Sequence, residues 1–288
     1  MRTTITPARR FGNRWASVLL LPAVVLLLVS HGGNHPGWAN AQTVEKLQPE
    51  IDKQKLRLNA AEIEERRDAV MRLGALRRVE ASRAVVAALS DSAAIVRVAA
   101  AVAVLSLPAE ESTPVLIPLL NDKDRFVRQE VAYALGSLHN RRAVAVLVER
   151  LRSDKEDGVR GAAAVALGKI GDEEAVVALA QVVSPASGSP RAERKRKTKE
   201  NVFVLRAAAH ALGEIKSRAA VPALIEALSN DSLDTDIRRE AAQALGLIGD
   251  PSASPALRTA TSASDPHLSQ IAFEALHKIE SASPKKPL

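Results

Sequence analysis

Apolar positions along this chain follow a pattern that predicts pairs of short helices. In the segment VRQEVAYALGSL (127–138), small and apolar residues recur every three to four positions, as they do on one face of a helix. After a short turn, a second stripe occupies the positions i, i+3, i+4 and i+7. The members of this second stripe are Val144, Leu147, Val148 and Leu151. Each unit is therefore predicted to contain two helices of about 12 residues.

The helix pair is repeated at a nearly constant period. Copies of the motif Val-Arg-x-x-Ala-Ala-x-Ala-Leu-Gly-x-Ile lie at 65–76, 96–107, 127–138, 159–170, 204–215, 237–248 and 268–279. The residues that align at its glycine are Gly74, Leu105, Gly136, Gly168, Gly213, Gly246 and His277. Their successive spacings are 31, 31, 32, 45, 33 and 31 residues. The one long step indicates an insertion, at about 184–200, into an otherwise regular array.

Two short helices cannot bury both of their apolar faces alone, so neighbouring pairs are expected to stack into a solenoid. We expect the glycine of each Leu-Gly pair to adopt the left-handed conformation that closes the first helix. Pairs such as Asn121-Asp122 are expected to form the turn between units and to cap the next helix. We assign the solenoid to 59–280, preceded by a polar lead-in at 42–58 that is partly helical at best, and followed by a polar tail at 281–288.

These motifs resemble the HEAT-like repeats of the phycobilin-lyase type, whose units carry a similar signature, and the resemblance covers about 59–280. It implies an all-α fold, a right-handed α-α superhelix of six to seven helix pairs. It also implies that the second helices line the concave face. Three arginines, Arg97, Arg128 and Arg160, each follow an aspartate by six residues, and in repeats of this type such residues form a polar ladder between units. We expect that structural role here, with a binding surface as the alternative.

The first 41 residues have the layout of a secretory signal peptide. Four arginines precede the apolar run SVLLLPAVVLLLVS (17–30), and Ala39-Asn40-Ala41 supplies small residues for cleavage before Gln42. The run is shorter than the roughly 20 residues of a membrane span, although an uncleaved anchor is the alternative. We therefore expect the protein to be exported, to the periplasm or the cell exterior.

The net charge of the predicted mature chain is much lower than that of the full sequence. The segment carries four arginines and no acidic residue, so its removal lowers the formal net charge from +7 to +3. Six further cations are concentrated in the insertion: Arg191, Arg194, Lys195, Arg196, Lys197 and Lys199. With Glu193 and Glu200 they give that stretch a local charge of +4, so the rest of the mature chain is close to neutral. The chain has no cysteine, so no disulfide can stabilise it.

The sequence offers no catalytic or metal-binding motif. None of His139, His210, His267 and His277 is followed by glutamate, and we expect no histidine to pair with a carboxylate at helical spacing. Deoxyhypusine hydroxylase, an enzyme built on similar repeats, binds iron through His-Glu pairs, so the ligands of that activity are missing here. Aromatic residues make up only 2% of the chain, which disfavours a chromophore pocket. We expect no cofactor and no enzymatic activity; a lyase-like accessory that assists cofactor attachment or enzyme assembly is the alternative.

The expected function is non-covalent binding of another protein along the concave face. The candidate contact residues there are Glu149, Gln181 and Glu226, in a row of polar to small side chains without aromatics. The basic insertion has two main interpretations: a solvated loop without a role, or a docking site for an acidic protein or an anionic surface. We do not expect nucleic acid as a partner, because export conflicts with it and the basic residues do not continue onto the helices.

Overall fold

The computed structural model describes residues 38–184 and 201–282, with side chains from Leu47 onward, and all regular structure in that part of the chain is helical. A leading helix, α1, spans Trp38–Arg57. The first helices of the repeat are α2 (Ile63–Ala75), α4 (Ala94–Ala103), α6 (Arg125–Ser137), α8 (Asp157–Ile170), α10 (Val202–Ile215), α12 (Thr235–Ile248) and α14 (Pro266–Ala282). The second helices are α3 (Val79–Val85), α5 (Ala109–Leu116), α7 (Val144–Ser153), α9 (Val176–Val183), α11 (Val221–Ser229) and α13 (Ser254–Ala260). Six stacked helix pairs and a closing helix confirm the predicted α-α superhelix.

The core lies between the two layers of helices and runs along the whole array. On the second helices, the predicted stripe is buried, with Leu147 and Leu151 of α7 fully enclosed. On the first helices, the corresponding face carries alanines such as Ala132 and Ala164, which have no exposed surface. Because small side chains let helices approach closely, alanine-rich first helices stack tightly between units.

The glycine of the Leu-Gly pair serves packing rather than helix termination, so this prediction was wrong. A Cβ atom added to Gly136 would lie 2.6 Å from the Cα of Ala166 in the next unit, and one on Gly213 would lie 2.9 Å from the Cα of Ala244. The left-handed residue that ends the first helix comes three positions later. It is Arg77, His139, Gly171, Lys216 or Gly249 in the different units, with φ between 49° and 75°.

The Asn-Asp and Ser-Asp pairs form the turns between units, as predicted, but most do not cap the next helix. Asp122 Oδ1 accepts a hydrogen bond from the amide of Asp124 at 2.8 Å, which closes the turn. The N-cap of α6 is Asp124 itself, whose carboxylate accepts from the amides of Phe126 and Val127. The cap therefore lies two residues beyond the predicted position.

The lead-in is more ordered than the sequence suggested, because α1 continues through it. Ile51 and Gln54 are almost completely buried, and Leu47 and Leu58 pack against the same core. At the end of α1, Arg57 donates to the carboxylate of Asp68 at 2.7 Å, which joins it to α2. The prediction of a partly helical segment was wrong because three aliphatic residues at helical spacing are enough to dock a helix on the first repeat.

Three predicted features lie outside the described residues. The basic insertion is one of them: α9 ends at Val183, and α10 begins at Val202 with Asn201 as its N-cap. The signal peptide falls mainly on 1–37, and most of the polar tail on 283–288.

Candidate functional site

The second helices, together with the short 3-10 helices that continue α3 and α5, present the predicted row of polar to small residues to solvent. The members of this second-helix row, all exposed, are Ala87, Pro118, Glu149, Gln181, Glu226 and Thr259. Its polar members already have partners within the chain. The carboxylate of Glu149 contacts Arg150, the amide oxygen of Gln181 accepts from Arg152 at 3.4 Å, and Glu226 contacts Ser184. The row is thus assembled as expected, and it contains no large apolar side chain.

The six basic candidates of the insertion, Arg191, Arg194, Lys195, Arg196, Lys197 and Lys199, lie outside the described residues. The structure fixes only where the segment leaves and rejoins the array. It leaves after the second helix of the fourth unit and returns at the first helix of the fifth.

The arginine ladder is present and joins consecutive units. Arg97 donates from Nε and Nη2 to the two carboxylate oxygens of Asp122 at 2.8 and 2.7 Å, and Arg128 binds Asp154 in the same way. Each guanidinium also donates to a carbonyl oxygen of its own unit, as Arg97 does to Asp91 at 2.7 Å. These bidentate, charge-assisted bonds fix one turn against the next. The predicted structural role is confirmed for Arg97 and Arg128.

The ladder begins one unit earlier than predicted and changes beside the insertion. Arg66 donates from Nε and Nη2 to the two carboxylate oxygens of Asp91, at 2.7 and 2.9 Å. The weak first copy of the motif, ERRDAVMRLGAL, contains this arginine at the matching position and was the available signal. Arg160 donates to the carbonyl oxygen of Asp154 at 2.9 Å and contacts Asp157 in its own helix.

The first helices carry most of the exposed large apolar side chains of the described chain, and sequence reasoning missed them. All four aromatic residues of the described chain beyond α1 lie on first helices: Phe126, Tyr133, Phe203 and Phe273. Aliphatic residues occupy matching places in the first units, with Met71 54%, Ile95 44% and Val102 48% exposed. We call the exposed surface formed by Met71, Ile95, Val102, Phe126, Tyr133, Val165 and Phe203 the first-helix face.

The residues of this face stand at two fixed positions in the repeat, which alignment of the repeat units with one another shows. Ile95, Phe126 and Phe203 stand ten residues before the position of the repeat glycine. Met71, Val102, Tyr133 and Val165 stand three residues before it. Positions seven residues apart lie on the same side of a helix, so the two sets form one apolar band across several units. In the sixth unit the same positions carry Asp236 and Gln243, where the band ends.

Phe203 extends this band across the insertion. Its ring packs directly on Gly161 of the preceding unit, where a Cβ atom would overlap the ring carbons. The glycine is unfavourable within α8 by about 1 kcal/mol relative to alanine, and the aromatic contact explains its presence. The fourth and fifth units are therefore in direct contact on this side of the array.

A single half-buried carboxylate interrupts the apolar band. Glu130 lies on α6 between Phe126 and Tyr133, and burial raises the pKa of its carboxyl group. Burial also raises the pKa of the Tyr133 hydroxyl. Glu130 makes no hydrogen bond or ion pair with any residue that the structure describes. The third unit thus combines two aromatic rings with a half-buried carboxyl group.

A groove of about 790 Å³ opens on the first-helix face between α2 and α4. Gly74 and Ala103 form its floor, since a Cβ on Gly74 would lie 2.9 Å from that of Ala103. Met71, Ile95 and Val102 form its walls. Such a concave apolar surface can accept the side chains of another molecule.

The histidines show one pair that the sequence analysis did not expect. His210 Nδ1 lies 2.8 Å from the carboxylate of Glu240, and its Nε2 lies 3.6 Å from Glu214, four residues along the same helix. The expectation that no histidine pairs with a carboxylate at helical spacing was wrong. Across 38–184 and 201–282, no group of three or more histidine, aspartate or glutamate residues could hold a metal ion.

A helix that spans a membrane needs about 20 predominantly apolar residues. No helix within 38–184 or 201–282 is long and apolar enough to cross a bilayer.

The fold and its surfaces define a repeat protein made of stacked helix pairs joined by an Arg-Asp ladder. The chain belongs to the HEAT-repeat family: the model for HEAT repeats matches residues 53–136, 83–168, 113–195 and 230–288. The model for the PBS lyase HEAT-like repeat matches 204–230. These matches confirm the family resemblance seen in the motifs.

The chain is also similar to several solved structures. YibA of Escherichia coli is 18% identical, with a TM-score of 0.56, covering 85% of this chain and 86% of that one. An engineered protein is 23% identical, with a TM-score of 0.51, covering 81% and 69%. The complex of CpcE and CpcF of phycocyanin lyase from Nostoc sp. is 22% identical, with a TM-score of 0.47, covering 92% and 95%. At these identities the likeness concerns the fold alone. No curated protein matches the sequence.

Proposed function

We propose that this protein is an exported scaffold that binds another protein non-covalently and catalyses no reaction. The observation that carries the proposal is the first-helix face, where Phe126, Val102 and Met71 are about half exposed in consecutive units. Aromatic residues and methionine are enriched at the centres of protein interfaces. An exposed apolar band on a repeat array therefore favours a protein partner.

The second-helix row is assigned a secondary role in this proposal. Glu149, Gln181 and Glu226 each contact a polar neighbour of their own chain, and a partner would have to displace those contacts. Exposed polar contacts of this kind contribute little affinity, whereas buried aromatic contacts contribute much. We therefore assign most of the affinity to the first-helix face, with the second-helix row adding selectivity.

The basic insertion supplies electrostatic docking in this proposal. Its local charge of +4 contrasts with a nearly neutral array, so it would attract an acidic protein or an anionic surface. Deletion of 187–199 is expected to lower the association rate at low salt and to leave the affinity at high salt nearly unchanged. The same salt dependence with and without the segment would remove this role.

Affinity capture from the envelope fraction of the producing cell tests the scaffold proposal. The full chain is compared with a first-helix variant, Phe126→Ser with Tyr133→Ser, and a matched second-helix variant, Glu149→Ala with Gln181→Ala. The wild type and the second-helix variant should recover the same protein, and the first-helix variant should lose it by about tenfold or more, equivalent to about 1.4 kcal/mol. Equal capture by all three contradicts the assigned face.

Two further measurements test the remaining parts of the proposal. A metal or chromophore present in stoichiometric amount in the purified protein, detected by elemental analysis or visible absorbance, contradicts the scaffold function and favours the accessory role. Export predicts that protein recovered from the envelope begins at Gln42, as shown by intact mass. Recovery of the full chain from the membrane instead would indicate a retained anchor.

A further inference from the structure

We propose that the groove between α2 and α4 binds a partner segment that presents apolar side chains beside a carboxylate group. The inference rests on the proposed scaffold function and names the chemistry of the segment that one site would recognise.

The apolar part of this preference follows from the floor and walls of the groove. Its floor, Gly74 and Ala103, has no side chain beyond a methyl group, so an incoming side chain can reach the helix backbones. The walls are Met71, Ile95 and Val102, each about half exposed. Covering these walls removes apolar surface from water, which favours binding.

The acidic part follows from the charges at the rim. Arg67 and Arg77 are the two charged residues among those that line the groove, and no carboxylate lines it within the described chain. Arg67 forms an ion pair with Glu64, with 3.0 Å between Nη1 and Oε2. Arg77 makes no ion pair with any residue in the described ranges, and its left-handed backbone, with φ of 49°, ends the first helix beside the groove. An anionic group on the partner would complement this cation.

The combination of an open apolar floor and an unpaired cation is not repeated at the next interface. At the next interface, between α4 and α6, Leu105 occupies the position that Gly74 holds here. The neighbouring first-helix face there carries the acidic side chain of Glu130. A bulky residue replaces the open floor, and Pro108 stands at the repeat position that Arg77 holds in the first unit. The α4–α6 interface therefore lacks both the open floor and the cation of the groove between α2 and α4.

Two designed helical peptides serve as probes. Both carry leucine at positions i, i+3, i+4 and i+7 and a fluorophore; one ends in two glutamates and the other in two lysines. Titrated with the full chain and followed by fluorescence anisotropy, the glutamate probe should bind at least about tenfold more tightly. Val102→Asp should weaken its binding about tenfold or more, because a charge would enter the apolar wall. Val177→Asp, at an exposed valine on α9, should have no effect.

A charge exchange keeps the test independent of folding defects. Arg77→Glu should reverse the preference, so that the lysine probe binds better than the glutamate probe. Equal binding of both probes by the wild type, or no reversal in Arg77→Glu, overturns the proposal. A dimer seen by sedimentation that Val102→Asp dissociates also overturns it, since a second copy would then fill the groove. If probes fail while affinity capture succeeds, the groove proposal alone is wrong; if capture also fails, the scaffold function is wrong as well.

Discussion

The guanidinium group of Arg128 donates two hydrogen bonds, of 2.8 and 2.9 Å, to the carboxylate of Asp154 in the next turn. Both side chains are almost fully buried. Burial alone would raise the pKa of Asp154, but the bonds from Arg128 and from the amide of Glu156 outweigh it, and the pKa is lowered. The pair holds two units of the array in register.

Replacing Asp154 by asparagine should destabilise the protein by about 3 kcal/mol, because it leaves Arg128 as a buried charge without its full partner. Urea denaturation followed by circular dichroism measures the loss. Asp231→Asn is the matched control, since Asp231 pairs with Arg238 at 2.8 Å but is highly exposed, and we expect less than about 1 kcal/mol. Equal losses in the two variants would show that burial does not determine the strength of the pair.

Arg239 binds both carboxylate oxygens of Asp265 in the turn before α14, and this ion pair should make the stability of the protein depend on pH in acid. Hydrogen bonds from Arg239 and the amide of Leu268 lower the pKa of Asp265 to about 2. In the unfolded chain the group titrates near pH 3.9, so its stabilising effect is present above that pH and is lost as the pH falls towards 2. The wild type should therefore exceed Asp265→Asn in stability above about pH 5, and the gap should close near pH 2. A gap that stays constant over this range contradicts the assignment.

Gly136→Ala should destabilise the array by about 1–3 kcal/mol, although alanine is the better helix former. The added methyl group would lie 2.6 Å from the Cα of Ala166, and backbone cannot give way cheaply. Gly158→Ala is the control, because its methyl group would meet only the side-chain amide of Gln129, which can move. The control should be neutral or gain up to about 1 kcal/mol. Thermal melts of both variants decide between packing and helix propensity as the reason for the glycine.

Glu130→Gln should stabilise the protein at neutral pH. Burial raises the pKa of this carboxyl group, so the folded state favours the protonated form, and stability falls as the pH rises above the unfolded value of about 4.3. Glutamine stays neutral, so the variant should gain on the wild type between about pH 4 and pH 7 and match it at lower pH. Glu149→Gln, on the exposed second-helix row, provides the control. A variant that is less stable than the wild type at neutral pH would show that the charge of Glu130 is needed.

The fold could be predicted because each unit repeats the same small and apolar residues. The stripe of Leu147 and Leu151, the period of the repeat and the contacts of Arg97 all followed from residues at fixed spacing. Spacing also located the close approach at Gly136, although its cause was misjudged. A glycine at the end of a helical motif favours both helix termination and close packing, and only the position of Ala166 in the next unit separates the two.

The candidate surface could not be derived in the same way. The exposure of Phe126 and Val102 depends on which side of each first helix the neighbouring units leave uncovered. A periodic pattern identifies the residues that share a face but not the face that meets solvent. The position of the aromatic residues does indicate this surface, because the chain has few of them and those beyond α1 all lie in first-helix motifs. The pairing of His210 with Glu240 joins two units and required their stacking.

His277 occupies the position of the repeat glycine in α14, and its ring stacks on Phe273 with centroids 6.5 Å apart. In the preceding unit, Gly246 at this position lets the next first helix approach so closely that a Cβ would lie 2.7 Å from that of Ala275. A unit packed as closely as at Gly246 would collide with the imidazole, whereas the unit that follows Leu105 shows that a larger side chain is accommodated at this position. In evolutionary terms, a unit duplicated ahead of α14 could reuse the contact of Gly246 with Ala275, and growth of the array there would need no new side chain.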